Sequence, residues 1–140
     1  MKLQKPDSAL VSKKVQQAIE KMESDHLIYW RNSIDKVIFI SNQYPGLWLE
    51  HTYDAVAWAN FRPEDTNISK AQVKLFLDNQ TQEGQLPCLI WKDLISYGWL
   101  QECVSFTAVA LEACKQSNDI AFLNECYEKC QKWDEWLVQR

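Results

Sequence analysis

Glycine and proline are scarce in this chain, with three and four respectively among 140 residues. So few breakers leave little for a fold built of many short strands and tight turns. The abundance of Ala, Leu, Glu, Gln and Lys favours helix instead. No unbroken apolar run is long enough to span a membrane, and the N-terminus has no apolar core of the kind that marks a secretory leader. Positive charge is not in excess: 15 Lys and Arg against 19 Asp and Glu give a formal net charge of -4. A nucleic-acid binder usually shows a basic face, so none is expected here, and Lys13-Lys14 read as part of a solvated helix face. Phosphate-cradling glycine loops and a Gly-x-Ser-x-Gly nucleophile elbow are missing. The five cysteines are an odd number with no small-domain framework, which points to reduced thiols in the cytoplasm. Cys126 and Cys130 lie four apart on one helical face. With no paired Cys or His nearby they read as buried thiols, not ligands, and no metal or cofactor is expected.

What the chain does have is apolar and aromatic mass. Hydrophobic residues make up 46% and aromatics 12%, including seven Trp. That is enough for a packed core, so disorder is excluded as the default. Most of the Trp side chains read as core filling, Trp133 and Trp136 among them. A few near loops, Trp48, Trp91 and Trp99, suit a different task, because a flat indole stacks on the C–H face of a pyranose.

Helical spacing runs along most of the sequence. After a frayed end over 1–6, Asp7 or Ser8 caps a helix whose buried stripe is Val11, Val15, Ala18, Ile19 and Met22. The stretch from Leu27 to Ile40 reads as a second helix or a continuation of the first, with the β-branched run from Val37 to Ile40 against it. The turn at Asn42 to Gly46 precedes a helix from Leu47 to about Asn60. A connector at Arg62 to Asp65 leads to a helix starting at Asp65 or Thr66 and reaching about Gln80, with Ile68, Ala71, Leu75 and Phe76 as its stripe. Glu83-Gly84 ends it, and Gln85 to Gly98 reads as loop. Leu100 to Gln116 is apolar nearly all round and is expected to be buried on most sides. Ser117-Asn118-Asp119 caps the last helix. Its single stripe is Ile120, Leu123, Cys126, Tyr127, Cys130, Trp133 and Leu137, with Glu125, Glu128, Lys132 and Glu135 on the wet side.

Two stretches echo each other. Gly46 precedes Trp48-Leu49-Glu50-His51, and Gly98 precedes Trp99-Leu100-Gln101-Glu102; each opens an apolar helix followed by an amphipathic one. That alternation, at a period of roughly 50 residues, suits stacked helical hairpins with a buried inner and an outer helix. An ordinary helical bundle with a chance similarity explains the pattern about equally well.

Three motifs carry a family resemblance over about two-thirds of the chain. They are Pro45-Gly46-Leu47-Trp48-Leu49-Glu50-His51-Thr52-Tyr53-Asp54, then Phe76-Leu77-Asp78-Asn79-Gln80 with Gly84-Gln85-Leu86-Pro87, and Asn118-Asp119-Ile120-Ala121-Phe122-Leu123 through Tyr127 to Trp133 and Trp136. In this order they resemble glycoside hydrolases with an (α/α)6 toroid, nearest the mannosylglycerate hydrolase-like and family 63 group. Many relatives have Trp-Asp where this chain has Glu50-His51, and Gln-Pro where it has Gln101-Glu102. The resemblance implies an all-α fold of antiparallel helical hairpins, a partial toroid. It implies one helical domain over residues 1–140, a piece of a larger catalytic domain. Such a toroid closes with six hairpins, and about three are read here.

Glycoside hydrolysis needs two carboxyl groups across the scissile bond. By the resemblance, the catalytic acid and base lie past Arg140, so the chain holds no catalytic residue and is inactive alone. What it contributes is part of a carbohydrate cleft. Glu50, Asp54 and Glu102 stand near the starts of inner helices, where the family's cleft lies. Glu50 and Asp54 are four apart and share a face; Asp54 serves equally as an acid favouring a helix N-terminus. His51 can bind a hydroxyl, although a lone His is more often structural. Gln85 and Gln101, like Gln80, donate and accept at once, which suits sugar hydroxyls and loop bracing alike. The expected sugar contacts are therefore Trp48, Glu50, His51, Asp54, Gln85, Trp91, Gln101 and Glu102. The expected partners are a carbohydrate substrate, the missing C-terminal half or a second copy of the chain, since an interrupted toroid exposes apolar helix flanks. A non-catalytic helical-repeat module that binds a protein or a sugar is the competing expectation.

Overall fold

A computed structural model describes residues 8–30, 35–39, 45–59, 67–98 and 105–139. In chain order these are α1 (Ser8–His26), β1 (Leu27–Tyr29), β2 (Lys36–Ile38), β3 (Leu47–Trp48), α2 (Thr52–Ala59), α3 (Asn67–Asp78), β4 (Leu89–Trp91), β5 (Leu94–Ser96), α4 (Phe106–Ser117) and α5 (Ile120–Val138). The fold is mixed α/β, five helices with two small antiparallel sheets. The all-α partial toroid is therefore overturned. Among the described residues no helix is long and apolar enough to cross a membrane.

The strands arise where helical spacing was weakest. The stretch expected as a second helix is instead a ribbon in which Leu27, Ile28 and Tyr29 face Ile38, Val37 and Lys36. The branched Val37 and Ile38 lose less side-chain freedom on a pleated surface than in a helix. Two contacts between His26 and Phe39 close the ribbon's base. The Phe39 N–H donates to the His26 carbonyl at 2.7 Å, and His26 Nδ1 donates to the Phe39 carbonyl at 2.7 Å. Buried Gln72 of α3 ties the ribbon down, its Oε1 accepting from the Ile38 N–H at 3.0 Å.

Leu47-Trp48, expected to open a helix, is an edge strand, and α2 begins only at Thr52. Residues 85–98, expected as loop, hold the hairpin β4–β5. Leu47 faces Ile90, Trp48 faces Leu89, and β4 pairs with β5 through Trp91 and Leu94. The hairpin loop is Lys92-Asp93, with Lys92 at φ 50, in the left-handed region. Gly46, at φ 128, sits where a Cβ would lie 2.3 Å from a Leu89 side-chain carbon, so only glycine lets the chain approach β4 there.

Four helices build the rest. Leu47, Leu49, Phe76, Leu77, Leu86, Phe106 and Trp133 are fully buried in one cluster. α2 and α3 are shorter than their sequence patterns, whereas α5 fills its own. α2 has eight residues, and α3 buries Gln72, Val73 and Leu77 beside Ile68 and Phe76, while Ala71 and Leu75 are half-buried. Asp119 caps α5 as expected, its Oδ1 accepting from the Phe122 N–H at 3.0 Å. Two stripes turn out differently. α1 leads straight into β1, and Val11 and Val15 are 43% and 53% exposed. α5 buries Phe122, Cys126, Cys130, Trp133 and Trp136, whereas Ile120, Leu123 and Tyr127 face outward. Residues 99–104, the second half of the internal echo, lie outside the described residues, as do the expected turn at 42–44 and connector at 62–65.

α3 and α5 run side by side in parallel. Lys70 meets Asp119 at 2.6 Å at one end. Further along, Lys74 and Lys129 each contact both Asp78 and Glu125, at 2.9 to 3.2 Å, in a four-membered ring of charge. Gln80 Nε2 continues the seam, donating to the carbonyls of Gly84 and Lys129, both at 2.9 Å. α4 runs antiparallel to α5: Thr107 Oγ1 near its start reaches Asp134 Oδ1 near the end of α5 at 2.8 Å, and Asn118 (φ 49) makes the reversal between them.

Candidate functional site

The period of two in a strand decides which side chains share a face. Trp48 stands opposite Leu89, and Trp91 is two residues further along the same strand. Trp48, Leu89 and Trp91 therefore lie on one face of the three-stranded sheet, with the two indoles in diagonal positions about 7–8 Å apart in backbone terms. Leu47 and Ile90 occupy the other face and are buried in the core. Both indoles are half-buried. Trp91 leans on Phe39 (centroids 5.4 Å apart) and Trp30 (6.4 Å), and Lys92 Nζ lies 5.2 Å from its ring centre. A wall of aromatic side chains thus fixes Trp91 from behind.

The turn leaving β3 brings three of the expected polar residues to this edge. Glu50 is exposed, and its Oε1 lies 3.6 Å from His51 Nδ1. That is ion-pair range when the imidazole is protonated, but too long for a hydrogen bond. The His51 carbonyl accepts from the N–H groups of Asp54 and Ala55, at 3.1 and 3.3 Å, and so starts α2. Asp54 is exposed in the first turn of α2, where the helix dipole favours an acid. Trp48 Nε1, His51 Nδ1 and Thr52 Oγ1 are buried and find no hydrogen-bond partner among the described residues. Three such atoms within five residues are unusual, because buried polar groups are normally satisfied.

Gln85 does not join this group. Its Nε2 donates to the Gly98 carbonyl at 3.0 Å, its N–H to Thr81 Oγ1 at 3.1 Å, and its carbonyl accepts from the Thr81 N–H at 2.9 Å. It braces the loop between α3 and β4. Gln101 and Glu102, with Trp99, lie outside the described residues. The structure thus sets Trp48 and Trp91 on one sheet face, with Glu50, His51 and Asp54 following Trp48 in the turn and first helical turn after β3. It also adds Phe39, Trp30 and Thr52, which sequence reasoning missed. The available signal was the pair of short apolar runs Leu89-Ile90-Trp91 and Leu94-Ile95, too short and too poor in turn residues to compete with a loop.

Three cysteines of α4 and α5, Cys114, Cys126 and Cys130, are inert by position. Burial pushes the Cys126 thiol far up and the Cys130 thiol up to about 11, and burial likewise raises Cys114. Thiols held protonated in this way are poor nucleophiles. No group of three or more His, Cys, Asp or Glu side chains among the described residues could hold a metal ion. Comparisons with protein-family models, with curated proteins and with solved structures return no match for this chain.

Proposed function

We propose that the chain supplies carbohydrate-contacting groups of a glycoside hydrolase-like protein, binding sugar without carrying the catalytic pair. The observation that carries this reading is the placement of Trp48 and Trp91 on one sheet face, with Glu50 and His51 at the end of the strand bearing Trp48. An indole offers the apolar faces of a sugar ring a stacking surface. The Glu50 carboxylate accepts from hydroxyls and His51 can donate or accept. The motif resemblance supports the same reading. A cytoplasmic setting belongs to it, supported by the free thiols of Cys88, Cys114, Cys126 and Cys130.

Tryptophan fluorescence, titrated with gluco- and manno-configured oligosaccharides, tests it. A saturable shift with one sugar class is expected. Glu50→Gln should weaken that binding by about tenfold, the scale of one hydrogen bond to a charged group, with unchanged thermal unfolding because Glu50 is exposed. Absence of any response to the panel would sink the reading. The competing one, a helical module that docks a protein, is favoured by a different feature, the open face of α4 and α5.

A further inference from the structure

The outer side of the α4–α5 pair is a groove of about 620 Å³, open along its length. Leu111, Leu123 and Tyr127 line it and are 49%, 37% and 71% exposed. Val138 ends it, also exposed. Among the described residues that line it, the charged ones are two acids at the C-terminal end of α5, Asp134 and Glu135. Neither acid is in an ion pair among the described residues. Asp134 accepts from Thr107, and Glu135 accepts from Gln131.

The molecule also carries an unpartnered apolar rod. Val11, Val15, Ile19 and Met22 recur at steps of four, four and three on α1, which makes one stripe. Their side chains are exposed or half-exposed, and α1 runs directly into β1 at His26. Its base is clamped at His26 by the two contacts with Phe39. Lys13 and Lys14, in its N-terminal half, are exposed, and Lys14 lies at the edge of the stripe.

We propose that the α4–α5 groove receives α1 of a second copy of this chain, each copy donating one helix and accepting one. Length, polarity and charge agree. The α1 stripe spans about 17 Å and the 12-residue α4 about 18 Å, at 1.5 Å per residue. Both surfaces are apolar and both are uncovered, which large patches on a monomer rarely are. Laid antiparallel to α5, the helix brings Lys14 to the acidic end of the groove. It also sets the positive end of its own dipole beside the C-terminus of α5. The exchange is two-fold symmetric, so every contact is made twice and the assembly closes at two copies. This interface is independent of the sugar reading.

Sedimentation and light scattering of the purified chain test it. A dimer that dissociates with dilution is expected. Val15→Asp, on an exposed position of α1, should weaken the dimer at least about a hundredfold, as loss of a central apolar anchor does, without altering the circular dichroism spectrum. Leu123→Asp should do the same from the groove side. Lys14→Glu should weaken the dimer by about tenfold, and adding Glu135→Lys in the same chain should restore it. A dimer indifferent to Val15→Asp overturns the proposal, as does a chain that stays monomeric up to about 1 mM, the weak end of measurable association. In a monomer, an apolar dye distinguishes what covers the groove. Dye uptake that appears only in Val15→Asp means that α1 folds onto its own chain. Uptake equal in both means that the groove waits for another partner. Either result overturns exchange between copies.

Discussion

α5 has two flanks with opposite chemistry. Toward α3 it is closed. Lys74, Lys129, Asp78 and Glu125 form a ring of charge, Gly84 is pressed against the Lys132 backbone, and below them Trp133 stacks on Trp136 at 5.4 Å in the core. On its outer flank Leu123, Tyr127 and Val138 are open. The helix is amphipathic in the usual sense, but its charged residues close a seam between helices and some of its apolar residues face outward. Long polar side chains can bridge two helices at the rim of a core, where their charged ends find partners and their stems cover apolar surface. An apolar side chain left outside implies a partner or a tolerated patch.

The comparison makes its largest demand at Trp133. Removing that fully buried indole by Trp133→Ala should destabilise the chain by about 3–5 kcal/mol, the usual cost of an aromatic cavity, read by denaturant unfolding. Gly84→Ala comes next. A Cβ there would lie 2.3 Å from the Lys132 carbonyl oxygen, at a φ of 100 that an L side chain rarely adopts. A loss of about 2–3 kcal/mol is expected, and a neutral substitution would mean that the loop is not pressed against α5.

The charge ring should be felt through pH. Burial works against the charged form of Glu125, but hydrogen bonds from Lys74 and Lys129 outweigh it and hold the carboxyl below its ordinary range. The hydrogen bond from Lys70, with that from the Phe122 N–H, does the same to Asp119. Groups whose pKa falls on folding stabilise the native state above their unfolded values and lose that effect as pH drops through the folded ones. Thermal stability should therefore be level at neutral pH and decline below about pH 4, near the unperturbed carboxylate values. Glu125→Gln should flatten that decline and cost less than about 1 kcal/mol at pH 7, since the group is partly solvated. The smallest effect belongs to the open flank: Tyr127→Ser should change the stability of the dilute, monomeric chain by no more than about 0.5 kcal/mol. A larger loss would show that the flank is not open.

Helix existence was legible along most of the chain. α3, α4 and α5 stand where spacing put them, and Asp119, the N-cap of α5, is one of the three residues expected to cap it. Trp133 and Trp136 are core, and Cys126 and Cys130 are buried thiols, as their position on the last helix implied. The sheets were not legible. Each strand is two or three residues long, too short for a period to declare itself, and Lys92-Asp93 is not a pair that marks a hairpin. The expected site was half legible. Trp48, Glu50, His51 and Asp54 are neighbours in sequence and remain so in space, whereas Trp91 joins them only through strand pairing. Gln85 resolved into a brace because its side-chain amide donates to the Gly98 carbonyl while its backbone pairs with Thr81.

By itself the sequence determined where helices form and how much apolar surface must be hidden, because local spacing, caps and scarce breakers act within a turn or two of chain. Which apolar residues are hidden was decided only in three dimensions. Seating α5 on α3 and α4 turned Phe122 and Trp136 inward and left Leu123 and Tyr127 outside. Pairing β3 with β4 brought Trp48 and Trp91 to one face. Both outcomes depend on contacts between segments far apart in the chain, and no local period specifies the rotation of a helix about its axis or the register of a short strand.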